Sequence, residues 1–203
     1  MVNPTIKQDL KISFFIGMLA GVLLLPTLRN LGVAINLFSV AGSIVGLTIF
    51  TPTGYLVAYW LSQWWPVMLQ FIKFAIVGGL NFTIDLAILN FLIYFSGISA
   101  GFFYSGFKGT SFLVAVTVSY FWNKYWTFKA SEGGPAGGEF VRFLLVNLVG
   151  FGINVGAASA VVNVIGAPLG VSPQLWANFG AVSAVFVSLF WNFVGMKFIV
   201  FKR

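Results

Sequence analysis

The carboxylate of Asp85 stands inside a long apolar run, FAIVGGLNFTIDLAILNFLIYF (74–95). It lies 12 residues past Lys73, about 18 Å along a helix, which is near mid-bilayer if the run spans a membrane. An Asp at that depth costs roughly 2.5–3.5 kcal/mol to insert, a cost usually retained only where the residue faces protein or water. Two uses fit: an acceptor for a polar ligand, or an acid bonded to Asn or Lys of a neighbouring helix. Asn81 lies one turn earlier on the same face, and the small Gly78 and Gly79 allow a close approach. A second polar cluster, Asn123-Lys124, ends another apolar run. Lys73, Lys124, Arg142 and Lys197 all lie near run ends. There a cation either snorkels to water and sets topology or binds a phosphate.

Most other chemistry is excluded. The 203 residues contain no His and no Cys, and only Asp9, Asp85, Glu132 and Glu139 are acidic. The commonest general base and metal ligand is therefore missing, as are thiolate nucleophiles and disulfides. No enzyme activity, metal or cofactor is expected. The net charge of +7 comes from cations at the ends of apolar runs, which suits anionic lipid head groups and not nucleic acid.

The elements that must position these residues are membrane helices. Hydrophobic residues make up 59% of the chain and charged ones 7%, against about 25% charged in a soluble domain. Six apolar spans are predicted, over 12–28, 31–50, 67–95, 109–128, 140–165 and 174–201, giving an all-α integral membrane fold. Residues 53–66, rich in Tyr and Trp, read as an interfacial helix of the aromatic belt or as the kinked continuation of the second span. The Gly-rich stretch 129–139 reads as a water-exposed loop. With both termini cytoplasmic, nine cations fall inside and only Arg29 and Lys108 outside, a positive-inside pattern. GxxxG spacings at Gly17/Gly21, Gly42/Gly46 and Gly152/Gly156 permit close helix packing.

An internal repeat organises the C-terminal part. Residues 71–123 align without a gap on 140–192, with 14 identities in 53 pairs. Among these are Phe74/Phe143, Phe82/Phe151, Gly97/Gly166 and Trp122-Asn123 on Trp191-Asn192; Lys73 falls on Arg142 and Asp85 on Asn154. After Trp-Asn the second copy inserts four residues, then resumes with Lys124 on Lys197 and Phe128 on Phe201. Two tandem two-helix units, 71–129 and 140–202, enter from the same side and form a parallel repeat. Residues 1–66 belong to neither and read as a two-span N-terminal appendage to a four-span domain at 67–203.

The pattern F-x-K-F-x-x-V-G-G-x-N-x-x-x-D at 71–85, with VSYFWNKYWTF at 118–128, resembles the GtrA-like family of small four-span membrane proteins over about 67–203. The two N-terminal spans depart from the minimal family. The resemblance implies cell-envelope polysaccharide assembly: translocation of a polyprenyl-phosphate-linked monosaccharide, or a non-catalytic partnership with the membrane-associated glycosyltransferase that makes or uses it. It makes Asp85, Asn81, Asn123, Trp122, Asn154 and Asn192 candidate ligands of the sugar head group. It makes Lys73, Lys124, Arg142 and Lys197 candidate phosphate ligands. Expected partners are the lipid-linked sugar and membrane lipids, not nucleic acid, and a homodimer would suit so narrow a bundle. The expected location is the cytoplasmic (inner) membrane. A proton-coupled exporter of cations or drugs also fits a lone intramembrane acid, but flanking cations would repel its substrate.

Overall fold

A computed structural model describes residues 4–30, 33–98, 100–130, 136–171 and 173–202, and every regular element among them is helical. The order is α1 (Pro4–Asn30), α2 (Leu37–Leu61), α3 (Val67–Ser96), α4 (Gly101–Trp122), α5 (Ala136–Ser159) and α6 (Pro173–Gly195). Helices α4, α5 and α6 each run on into a π-helical turn, at Asn123–Thr127, Ala160–Ile165 and Met196–Val200. Five helices are long and apolar enough to cross a membrane: Thr5–Arg29, Leu37–Leu61, Val67–Ser96, Gly138–Ile165 and Val182–Val200. Helices satisfy every backbone group internally, as hydrocarbon demands, and their outer faces carry exposed Phe, Leu and Val side chains. The chain is a multi-pass membrane protein.

Three boundaries differ from the apolar runs. Helix α1 starts at Pro4, two turns before the run at Ile12, so Lys7, Asp9 and Lys11 are helical. Helix α4 starts at Gly101, so Lys108 lies within the helix and not on the flank of a span beginning at residue 109. Both follow because an apolar window reports only what lipid must cover, while a helix extends through charged residues. Residues 53–61 continue α2 past Pro52 as one helix, instead of starting a separate interfacial one. Of the Gly-rich loop at 129–139, residues 131–135 lie outside the described residues.

The chain forms two compact units, Met1–Lys129 and Ala130–Arg203. In the first, α1 packs along both α2 and α3, and α3 pairs with α4. Ile16 and Ala20 of α1 share a buried core with Val77 and Leu80 of α3 and Trp126 of the π turn. The N-terminal helices are thus built into the same unit as the first hairpin. One GxxxG pair explains the closeness of α1 and α2. A Cβ on Gly17 would collide with Leu47 O and Thr51 Oγ1, and one on Gly21 would lie 2.6 Å from Ile44 Cα. Gly42, Gly46, Gly152 and Gly156 have nothing within 4 Å of that position, so their spacing serves no close packing among the described residues. Thr51 Oγ1 donates to Ser13 O at 2.7 Å, and Asn90 Nδ2 to Thr27 Oγ1 at 3.0 Å. These bonds tie α1 to α2 and to α3. An Asn36–Ser39 capping box starts α2, worth about 1 kcal/mol.

In the second unit α5 pairs with α6. Asn192 sits over Gly150 and Val146 over Gly195, where no Cβ fits. Trp191 Nε1 donates to Val146 O at 3.3 Å.

Candidate functional site

One residue from each helix of the first unit meets at the end where α1 and α3 begin. Asp9 of α1 and Lys73 of α3 form an ion pair at 2.5 Å, each about 4% exposed. Tyr55 of α2 donates its hydroxyl to Asp9 Oδ2, and Trp126 after α4 donates Nε1 to Asp9 Oδ1, both at 2.9 Å. The Lys73 ammonium also lies 5.9 Å from the Tyr55 ring centre and 5.4 Å from that of Trp126. A buried carboxylate is costly unless its lone pairs are filled. Here one ammonium and two neutral donors fill them.

The local sequence explains the meeting. Asp9, Ser13, Ile16 and Ala20 repeat at helical spacing and are the buried stripe of α1. Trp126 reaches inward because the π turn rotates the register: Phe128 N–H bonds Asn123 O at 2.9 Å, five residues back. Such single π turns are rare and recur at functional sites. The same turn buries Asn123, Lys124 and Thr127. Asn123 Nδ2 donates to Ser119 O at 2.9 Å, while its Oδ1 accepts nothing. Lys124 Nζ donates to Tyr120 Oη at 3.3 Å over that residue's ring.

Farther along α3, Asp85 is bound to two residues of α4. Lys108 is its ion-pair partner, and Ser111 Oγ donates to Oδ1 at 2.6 Å. Asp85 is thus joined to a lysine of the neighbouring helix. The pair is partly open, with the Lys108 side chain 45% exposed. Asn81, a turn away, has a buried Oδ1 with no hydrogen-bond partner, and Gly78 and Gly79 beside it face open space. An apolar cavity of about 520 Å³ lies between α1, α2 and α3, reached by Gly79, Leu80, Phe82 and Thr83. At the opposite end of the unit from Asp9, a cavity of about 880 Å³ is lined by Arg29, Asn90, Phe91, Tyr94 and Phe95.

The candidates in the second unit are arranged differently. Asn154 Nδ2 donates to Ser188 Oγ at 3.1 Å. Asn192 Oδ1 has no hydrogen-bond partner. Arg142 is exposed, and Lys197 lies over the rings of Phe193 and Phe198. Trp122 packs on the edge of the first unit's core.

Residues 73–201 match the family described as GtrA/DPMS, transmembrane domain. The chain belongs to this family. Membership of the GtrA/DPMS family supports a membrane protein that handles polyprenyl-phosphate sugars. No curated protein and no solved structure gives a significant match. Lys73 opens the GtrA/DPMS match, and Trp126, Asp85, Lys108, Asn81 and Asn123 lie within it. Asp9 and Tyr55 lie outside. The apolar runs alone do not join Asp9, Tyr55 or Trp126 to the site. The available signal was the scarcity of acids, together with two aromatic residues whose polar tips need partners when buried.

Proposed function

We propose that the protein translocates a polyprenyl-phosphate-linked monosaccharide across the cytoplasmic membrane and performs no covalent chemistry. The observation that carries this reading is Asn81. A buried amide oxygen without a donor, one turn from a half-open Asp85–Lys108 pair, needs a partner, and a sugar hydroxyl supplies one. Asn123 offers a second such oxygen. In this reading Trp122 also contacts the sugar, and Asn154 and Asn192 are the corresponding amides of the second hairpin. The apolar cavity beside Gly79 suits a prenyl chain, and Lys73 and Lys124 are the cations that the first unit offers to the phosphate.

The chain then crosses the membrane six times with both termini cytoplasmic, as its charge distribution favours. The family domain begins near residue 67, and its two hairpins are tandem copies. Three matched features support the duplication. The paired Gly97 and Gly166 both take positive φ after the first helix of each hairpin, at 69° and 73°. Each second helix ends in a five-residue π turn whose second residue is Lys. The ring pairs Phe74–Phe128 and Phe143–Phe201 have centroids 6.3 and 6.2 Å apart at 58° and 57°.

The test places purified protein in liposomes containing a polyprenyl-phosphate-hexose and follows the inner-leaflet pool with a membrane-impermeant reagent. Acceleration is expected, with Asp85→Asn and Lys124→Ala each abolishing it while the protein stays folded. Full transfer by both variants would sink the site assignment. No acceleration by the folded wild type would favour the second reading, a membrane partner of a glycosyltransferase. The exposed Trp60, Trp64 and Trp65 at the α2–α3 connection are the surface that supports it, and a homodimer is compatible with both readings.

A further inference from the structure

The three groups bonded to Asp9 all act as donors. Lys73 Nζ, Tyr55 Oη and Trp126 Nε1 converge on the two oxygens of one carboxylate at 2.5, 2.9 and 2.9 Å. Chemically this is an anion receptor, and a phosphate presents the same arrangement of acceptor oxygens on one centre. The lysine and tryptophan lie within the family-matched span, which begins at Lys73, whereas the anion arrives from α1 outside it. The second hairpin has the exposed Arg142 at the Lys73 register and Ile199 at the Trp126 register. It builds no such receptor among the described residues.

A helix staple would not need these charges. A buried ion pair is commonly no more stabilising than an apolar trio of the same volume, and α1 is already held by Gly17, Gly21, Ile16 and Ala20. Asp9 also lies only five residues after the start of α1 at Pro4, between the exposed Lys7 and Lys11. Water is therefore close at hand for a displaced carboxylate. We propose that Lys73, Tyr55 and Trp126 form a lipid-phosphate site, and that Asp9 occupies it as a tethered internal anion which the incoming phosphate displaces. The identity of the displacing lipid as the transported substrate rests on the function proposed above; the exchange itself does not. The N-terminal helices thereby hold the domain closed until a phosphate-bearing lipid arrives.

The experiment compares wild type, Asp9→Asn and Asp9→Asn/Lys73→Met, purified in detergent. Each is titrated with a short-chain isoprenyl phosphate, a short-chain phosphatidic acid and the uncharged isoprenol. If the vacated receptor is normally open in a tenth of molecules or fewer, Asp9→Asn should bind isoprenyl phosphate at least about tenfold tighter. The added Lys73→Met should erase that gain, and isoprenol should not respond. Tightening for isoprenyl phosphate alone assigns the receptor to the lipid-linked substrate; equal tightening for phosphatidic acid assigns it to phospholipid head groups. No tightening, or a gain that survives Lys73→Met, overturns the exchange. A second measurement needs no variant. Carbodiimide labelling of Asp9 in the wild type, read by mass spectrometry, should rise with isoprenyl phosphate and not with isoprenol, and unchanged labelling overturns the proposal. Transfer in liposomes without Asp9 exchange would leave the translocase standing and remove the gate, while exchange without transfer would do the reverse.

Discussion

The two hairpins of the family domain share a sequence plan and differ in company. In α3–α4 the cation at the first-helix entrance is buried and neutralised by α1, and the mid-helix carboxylate is neutralised by Lys108. In α5–α6 the matching cation, Arg142, is exposed, and Asn154 replaces the carboxylate and needs only Ser188. The glycine turn, the π turn and the tilted phenylalanine pair persist in both. Backbone devices are thus common to the two hairpins, while at these two registers a buried or half-buried charge occurs only in the first, where Asp9 of α1 and Lys108 of α4 supply the counter-charges. That follows from the medium, since an unpaired charge in hydrocarbon costs more than any packing contact returns.

The contrast is broken most forcefully by removing the cation. Lys73→Met leaves Asp9 buried with two neutral donors, and loss of one member of a buried pair costs about 3–5 kcal/mol. Arg142→Met, at the matching register, removes an exposed charge and should stay within about 0.5 kcal/mol. Unfolding by denaturing detergent measures both. Equal losses would show that Lys73 is not held as the geometry requires.

How far the sequence exposes this contrast depends on the kind of interaction. The helical fold was legible because 59% hydrophobic residues in long runs admit little else. The correspondence of Lys73 with Arg142 and of Asp85 with Asn154 was legible because the register is ungapped. The partners of the charges were not. Lys108 read as a flanking charge because its helix starts eight residues before the apolar run, at Gly101. Asp9 precedes the first apolar run, at 12–28, yet it is bonded across 46 and 117 residues of chain to Tyr55 and Trp126. Trp126 faces inward only because the π turn shifts its register, and no periodicity of 3.6 announces that shift. Pairings between distant helices depend on which helices become neighbours, which local patterns do not encode.

Glycine spacing gives a milder test of the same lesson. Three GxxxG motifs look alike in sequence, yet only Gly17/Gly21 has a backbone against it. Gly17→Val should therefore cost about 1–3 kcal/mol through overpacking. Gly42→Val and Gly152→Val should cost nothing by this route, and could stabilise their helices slightly by restricting the unfolded chain. Thermal melting of the three variants decides. A loss at Gly152 equal to that at Gly17 would mean that Gly152 is packed against a surface and does not face open space.

The smallest expected effect probes what the hairpins have in common. Phe74–Phe128 and Phe143–Phe201 are tilted pairs of nearly identical spacing and angle, and such pairs contribute about 0.5–1.5 kcal/mol beyond area burial. Double-mutant cycles through Ala or Leu should return the same coupling in both hairpins within about 0.5 kcal/mol, despite the different charges nearby. Equal couplings would mark the phenylalanine clasp as a self-contained backbone-closing device, which both hairpins need because each must fix the exit of its π turn. A coupling confined to Phe74–Phe128 would instead make the clasp depend on the adjacent Asp9–Lys73–Trp126 cluster. Trp126 sits two residues before Phe128 and Lys73 one before Phe74, so loss of the cluster would then loosen the clasp as well.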